Sequence, residues 1–398
     1  MRRQTLLVCA LIASAQMTWG VVVPVLPLHL DRFGIAATLL GTVVTAFGVG
    51  RVLANLPAGL ALRWLPARTY LRVVLLALAA VTALTGAAHS AGALIGLRLV
   101  AGVLGGAAVT IGFAVLVAGA PAERRGAVMA TATVVQMSGA AAGSVLGGAV
   151  VGLVGTGGTF VVAALPVLAC LVWDLISPAT HYWAAPAPAA GGPPLTLRGF
   201  GHTPLLVALC GVSFATFFAR FAGEQGLVPV MAYDTGGLTP FTLGLATAAG
   251  TVAGLATMPL IGRWIDRGAR ARLLIPAGVV TAVALVALPL LHTPIGYAAA
   301  IVAYSVGTGV VGVLPGVITG DAYPAGAAGA IVGLTRTAGD LGAAAGPVTV
   351  FAVASGAGTL VACTVLGLLV VLAVAGLLAT LPARARTEKQ LTTEGATR

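Results

Sequence analysis

The chain has 398 residues, 59% of them hydrophobic and 8% charged, and its mean hydropathy is +1.06. Soluble domains carry about 25% charged residues, so this composition excludes a water-soluble globular protein. The formal charge of +11 raises nucleic acid as a partner, but the basic residues sit where a membrane surface would meet them, and no nucleic-acid role is expected.

One helical crossing needs roughly 20 apolar residues. Twelve candidate spans follow in chain order, near 5–28, 36–60, 71–88, 93–118, 127–152, 158–177, 204–230, 240–261, 273–291, 295–319, 328–353 and 358–381. The first imitates a signal peptide, with Arg2-Arg3, an apolar stretch and Ala13-Ser14-Ala15, but its apolar run reaches about Leu28 and is expected to stay as an uncleaved helix. Gln16 and Trp19 lie one turn apart on it. Span 2 carries Arg51 and, one turn on, Asn55, a hydrogen-bond partner in reach. Span 4 carries Arg98, and span 5 carries Gly139, Gly143, Gly147 and Gly148. Asp174 ends span 6 and is expected at the interface.

Span 7 has a stripe of Phe214, Phe217, Phe218 and Phe221, for which packing is the expected role, and the pair Arg220/Glu224. Tyr304 lies in span 10, and Arg336/Asp340 in span 11. Charge at bilayer depth is costly, so such residues face a wet cavity or a partner. At i, i+4 each pair is expected to neutralise itself in part. An ion pair tying helices together and a proton-carrying carboxylate both stay open for Arg336/Asp340. Gln16, Trp19, Arg51, Asn55, Arg98 and Tyr304 are candidates for lining a cavity; four arginines against two acids within the spans permit an anionic ligand. His29, His89 and His292 are expected in the outer connections, which leaves no histidine relay. Cys9, Cys170, Cys210 and Cys363 have no metal-ligand spacing and read as packing residues, so no metal is expected.

The one long polar-leaning connection, 179–203, is rich in Pro and Gly and is expected to be a linker between bundles at 1–178 and 204–383, with a disordered tail at 384–398. Putting the N-terminus inside places Arg2, Arg3, Arg63, Arg68, Arg72, Arg124, Arg125, Arg198, Arg263, Arg267, Arg270, Arg272 and the tail's basic residues on one face, against Arg32 on the other. Both termini are therefore expected in the cytoplasm of a multi-pass plasma-membrane protein. The halves repeat: Gly139-Ala-Ala-Ala-Gly143 returns 203 residues later as Gly342-Ala-Ala-Ala-Gly346, and the same offset carries Pro121 to Pro324, Gly126 to Gly329 and Gly59 to Gly262. Two parallel halves place a working cavity where they meet.

The segment Gly262-Arg-Trp-Ile-Asp266-Arg267-Gly268-Ala-Arg270-Ala-Arg272 resembles the cytoplasmic loop signature of the major facilitator superfamily. Its first-half counterpart, from Gly59 to Arg68, has Arg63 where that family has Asp. Arg98, Gly102, Gly105 and Gly106 are similar to the family's Arg-and-Gly motif. Gly139, Gly143, Gly147 and Gly148 are similar to its antiporter-associated motif, with Ser144 in place of Pro. The resemblance implies an all-α integral membrane fold of twelve helices in two pseudo-symmetric six-helix bundles. It also implies a cytoplasmic gate loop in which Gly262, Asp266, Arg267 and Arg270 take part and Asp266 docks on the opposite half.

No Gly-x-x-x-x-Gly-Lys phosphate loop exists, since the sole lysine is Lys389. The expected activity is secondary transport of a small molecule by alternating access, as proton-coupled efflux. Proton symport or facilitated uptake of a metabolite is the alternative, and an integral-membrane sensor the non-transport one. No enzyme is expected, because no acid, histidine or nucleophile constellation gathers at one face. The expected partners are a small-molecule substrate and the bilayer, with the proton gradient as driving force, no cofactor, and a monomeric state.

Overall fold

The computed structural model describes residues 2–34, 39–120, 125–178, 183, 203–266, 270–323 and 325–381. The expected linker, apart from Trp183 and Thr203, and the expected tail lie outside the described residues. Among the described residues there is no strand. Helices α1 (Arg2–Gly20) and α2 (Val22–Arg32) form the first pass, α3 (Leu39–Ala61) the second, α4 (Ala67–Thr85) the third and α5 (Ala91–Gly119) the fourth. Helix α6 (Arg125–Ile176) covers the fifth and sixth, turning at Gly155, whose φ of +70° a side chain would oppose. The seventh pass joins α7 (Thr203–Ala219), a π-helical stretch (Arg220–Leu227) and α8 (Val228–Asp234). Helices α9 (Pro240–Asp266), α10 (Arg270–Ala287), α11 (Pro294–Ala322), α12 (Ala325–Ala357) and α13 (Thr359–Thr380) complete the chain.

Among the described residues eleven stretches are long and apolar enough to cross a bilayer, and one of them, Ala127–Ile176, is 50 residues long and doubles back at Gly155, which gives twelve passes. An even number of passes puts the start of the first pass and the end of the last on one side, here termed proximal, with the other side distal. Local chemistry marks several helix starts. Ser90 accepts a hydrogen bond from the Ala93 amide at the head of α5, and Thr293 accepts one from Gly296 ahead of Pro294 at the head of α11.

The first pass breaks between Gly20 and Val22 for a reason written in its sequence. Pro24 has no N–H to give to the Gly20 carbonyl four residues back. Ser144 on α6 supplies a donor instead, its Oγ lying 3.0 Å from the Gly20 oxygen. The residue that departs from the family's Pro at this position thus repairs a break made by a proline elsewhere. Ser144→Ala is expected to remove that donor and destabilise the protein by about 1–3 kcal/mol. A thermal unfolding midpoint equal to wild type would show that the carbonyl is satisfied some other way.

The repeated glycines explain themselves as contacts. Gly139, Gly143 and Gly147 lie against the backbone of Ala13, Met17 and Val21 on the first pass. Their second-half counterparts Gly342 and Gly346 lie against the backbone of Phe214 and Phe218 on the seventh. Small residues here let helices approach backbone to backbone, the closest packing a bilayer offers. The span-7 phenylalanine stripe therefore packs largely on α12, as its spacing suggests.

Gly148 belongs to a different interface. It meets Pro240 of α9, and Gly244 meets Ser144. Across the same seam Gly41 meets Pro347 and Phe351, and Gly48 meets Ala343 and Ala344. Tyr233 donates to the Pro24 carbonyl at 2.5 Å, and the Val348 amide donates to Thr45 Oγ1 at 3.2 Å. All of these join the first six passes to the last six, and all lie in the distal half of the bilayer. The halves are thus sealed on the distal side.

Candidate functional site

The seam's charged centre lies where the distal seal ends. Asp340, midway along α12, is fully buried. Its Oδ1 lies 3.1 Å from Arg51 Nη2 of α3, and Asn55, also on α3, donates to its Oδ2. This corrects the expectation that Asp340 pairs with Arg336 on its own helix. It also corrects the partner of Asn55, which serves the carboxylate and not Arg51. The physical reason is that α3 packs along α12, so residues from opposite halves come closer to the carboxylate than the arginine one turn away. Arg336 is exposed, one turn proximal, and its guanidinium lies 5.9 Å from the centroid of Phe113 on α5.

Distal to the ion pair lies an aromatic layer. Trp19 touches Phe47 with ring centroids 4.4 Å apart and Phe221 at 4.7 Å. Arg51 lies 5.8 Å from the Phe221 centroid, and Arg98 lies 4.5 Å from that of Phe47. The layer is therefore flanked by two guanidiniums, an arrangement in which the negative ring faces return part of the cost of burying charge. Arg98 is 4% exposed, and its Nε and Nη2 have no hydrogen-bond acceptor among the described residues.

The third group sits on the seventh pass. Arg220 and Glu224 form the expected pair, Nε to Oε2 at 3.3 Å, with the carboxylate partly accessible. They lie about one turn apart at the start of the π-helical stretch. Tyr304 of α11 is buried beside them, within electrostatic reach of both, and its hydroxyl lacks a partner among the described residues. Gln16 is half-buried on α1, one turn from Trp19.

Asp174 lies at the proximal end of the sixth pass, as expected, but it is buried within the protein, 3.2 Å from Arg68 Nη2 and 2.5 Å from Arg72 Nε. Arg68 also donates to the Ser177 carbonyl at 2.7 Å and lies 5.8 Å from the Trp183 ring, which ties α4 to the end of α6. His29 is not in a connection: α2 continues to Arg32 and buries it, with Nε2 donating to the Ala88 carbonyl and Nδ1 against Thr156 Oγ1, each at 3.1 Å. Both are staples within the first half. In the expected gate loop, Gly262 lies within α9, Asp266 closes it and Arg270 opens α10, while Arg267 and the side chains of Asp266 and Arg270 lie outside the described residues.

Phe47 and Phe113 were not singled out from the sequence. Phe47 stands one turn before Arg51, a spacing that could have revealed it; Phe113 has no such signal. An apolar groove of about 380 Å³ between α10 and α13, lined by Ala282, Val286, Gly367 and Leu368 among others, opens to the exterior and holds none of these charges.

The sequence profile of the Major Facilitator Superfamily matches residues 8–347. The chain belongs to the major facilitator superfamily. It is a transporter and not an enzyme. A chloramphenicol resistance protein of Streptomyces lividans is 30% identical over 266 residues, and the matched stretch is 65% of each chain's length. Among solved structures, a bacterial homologue of the human lysosomal transporter Spinster, inward-facing and occupied, aligns with a TM-score of 0.75 at 14% identity, covering 95% of this chain and 96% of that one. The nucleoside transporter NupG aligns at 0.75 with 11% identity over 94% and 98%. The human organic anion transporter MFSD10 aligns at 0.65 with 20% identity over 94% and 99%. These likenesses establish the fold of this transporter, and its site rests on its own residues.

Proposed function

We propose that this transporter exports small amphipathic molecules across the plasma membrane in exchange for protons, with Asp340 as the proton carrier. One observation supports this most directly: a buried carboxylate whose two polar partners belong to the opposite half. Any rocking that opens the distal seal draws α3 from α12 and strips Asp340 of Arg51 and Asn55. An unpaired carboxylate in an apolar seam is costly and takes a proton from distal water. When the halves reclose distally, Arg51 and Asn55 return, the anion is favoured again, and the proton leaves on the proximal side. Alternating Asp340 between these partners moves one proton per cycle inward.

The basic proximal connections support cytoplasmic termini, which makes the proximal side the cytoplasmic one. The likeness to a chloramphenicol resistance protein supports export of a small aromatic cargo. Trp19, Phe47, Phe113 and Phe221 offer the ring surfaces, and Gln16, Tyr304 and Glu224 the polar contacts. The proton gradient is the driving force, and the monomer is the working unit.

Everted membrane vesicles containing the protein, acidified inside and given labelled chloramphenicol outside, test the reading. The expected result is accumulation that a protonophore collapses. Accumulation only in right-side-out vesicles, with the acid outside, would replace export by symport, and no pH-dependent movement of cargo in either orientation would remove proton coupling.

A further inference from the structure

Charge in the seam does not balance, and the imbalance has an address. Asp340 answers Arg51 at 3.1 Å, and Glu224 answers Arg220 at 3.3 Å. Arg98 and Arg336 have no carboxylate within ion-pair distance among the described residues. Arg98 is more than nine-tenths buried with two N–H-bearing atoms lacking an acceptor. Arg336 is exposed one turn proximal to the Arg51–Asp340 pair, within electrostatic reach of both and against Phe113 of the opposite half, and so belongs to the seam and not to the lipid face. Each has an aromatic ring beneath it, Phe47 for Arg98 and Phe113 for Arg336. A ring face returns only a fraction of what an unpaired cation costs at this depth. Both positions therefore combine a flat apolar surface with an unanswered positive charge.

We propose that the seam selects aromatic molecules bearing a negative charge, such as aromatic carboxylates, with Arg336 receiving the anionic group on the proximal side and Arg98 receiving it more deeply. This rests on the transport reading above and narrows its cargo class. The two arginines stand on opposite sides of the barrier: Arg336 proximal to the Arg51–Asp340 pair, Arg98 behind the Trp19–Phe47–Phe221 layer. The anion meets Arg336 first and reaches Arg98 once that layer parts on distal opening. Asp340 keeps Arg51 occupied while the distal seal is closed, so the anion does not compete with the proton carrier for its partner. The membrane potential favours the same direction, since an outward anion and an inward proton both move down it.

The test uses the full-length purified protein and a matched pair of probes, 2-naphthoate and 2-naphthamide, which share a ring system and differ in charge. Binding is read by quenching of tryptophan fluorescence. The naphthoate is expected to bind about tenfold more tightly, the ratio set by a charge-assisted hydrogen bond. Arg336→Gln should bring the two probes to parity by weakening the naphthoate alone, and Arg336→Lys should restore the preference in part. Unchanged naphthamide binding in both variants shows that they are folded. Arg98→Gln should leave proximal binding of both probes intact and slow outward movement of naphthoate in everted vesicles. Equal affinity for the two probes, binding of neither, or a preference that survives Arg336→Gln would overturn the inference. The transport reading fails separately: it falls if the pH gradient moves no cargo, whatever the probe preference, and it stands if neutral cargo is pumped while the preference is absent.

Discussion

Asp340→Asn is expected to abolish accumulation driven by a pH gradient while cargo exchange across the membrane continues. Asparagine keeps the size of the side chain, and its Oδ1 can still accept from Asn55, so the contact between α3 and α12 survives in shape. What disappears is the only negative charge facing Arg51 among the described residues. Removing one partner of a buried pair costs up to about 3–5 kcal/mol, because the other charge is left unanswered. On the proposed cycle the cost falls on the distal-closed state alone, since opening the distal seal would part Arg51 from residue 340. The variant should therefore also shift toward the distal-open form. The double variant Arg51→Gln/Asp340→Asn separates the two effects. It removes the stranded cation, so distal closure should recover, while uphill transport stays at the level of empty vesicles. Exchange within about tenfold of wild type corresponds to a barrier change of no more than about 1.4 kcal/mol and would show the cycle intact without its coupling. If Asp340→Asn still concentrates cargo against a gradient, the proton travels on another group, and Glu224, paired with Arg220 within the second half, is the acid to mutate next.

The helices were legible and the pairings across the seam were not, for different physical reasons. A bilayer crossing demands a long apolar run, so twelve passes can be counted directly from the chain, including the pair that α6 joins at Gly155. Gly139 and Gly143 could be matched to Gly342 and Gly346 because both pairs make the same close contact in each half, which leaves the same small residues. Arg220 and Glu224 meet because they are neighbours on one helix, a relation the sequence carries. Arg51 and Asp340 are neighbours only because α3 lies on α12, and nothing local to either records that. The nearer Arg336 looked sufficient, yet its side chain turns to Phe113. Asp174 could be placed at the proximal end of its helix, but not its partners: Arg68 and Arg72, one turn apart on α4, close over it. That i, i+4 arginine pair was the available signal. His29 shows the cost of a boundary error: α2 runs further than the apolar run, and the extension turns an external histidine into a buried one.

Two glycines of one motif should fail in opposite ways. A side chain at Gly143 would fall on the Met17 backbone, inside the first half, and one at Gly148 would fall on the Pro240 carbonyl, across the seam. The steric insult is similar, but the available relief differs. Helices within one half must stay packed in every state of the cycle, so Gly143→Ala has no conformation that escapes the clash. Forced overpacking costs about 1–3 kcal/mol, and the unfolding midpoint of Gly143→Ala should drop accordingly. Gly211, whose Cβ would meet nothing within 4 Å, is the control, and Gly211→Ala should melt as wild type does. Gly148→Ala can escape by opening the distal seal. The same strain placed on one of two states shifts their ratio by about tenfold for each 1.4 kcal/mol, with little change in the unfolding midpoint. A cysteine at position 45 reports the opening, since Thr45 accepts from the Val348 amide inside the seal. In a background lacking the half-buried Cys170 and Cys210, Thr45→Cys should react about ten times faster with an impermeant maleimide, applied from the distal side, when Gly148→Ala is present. Should Gly148→Ala instead melt like Gly143→Ala, with its labelling rate unmoved, the distal contacts would be permanent packing and the two halves would not part there.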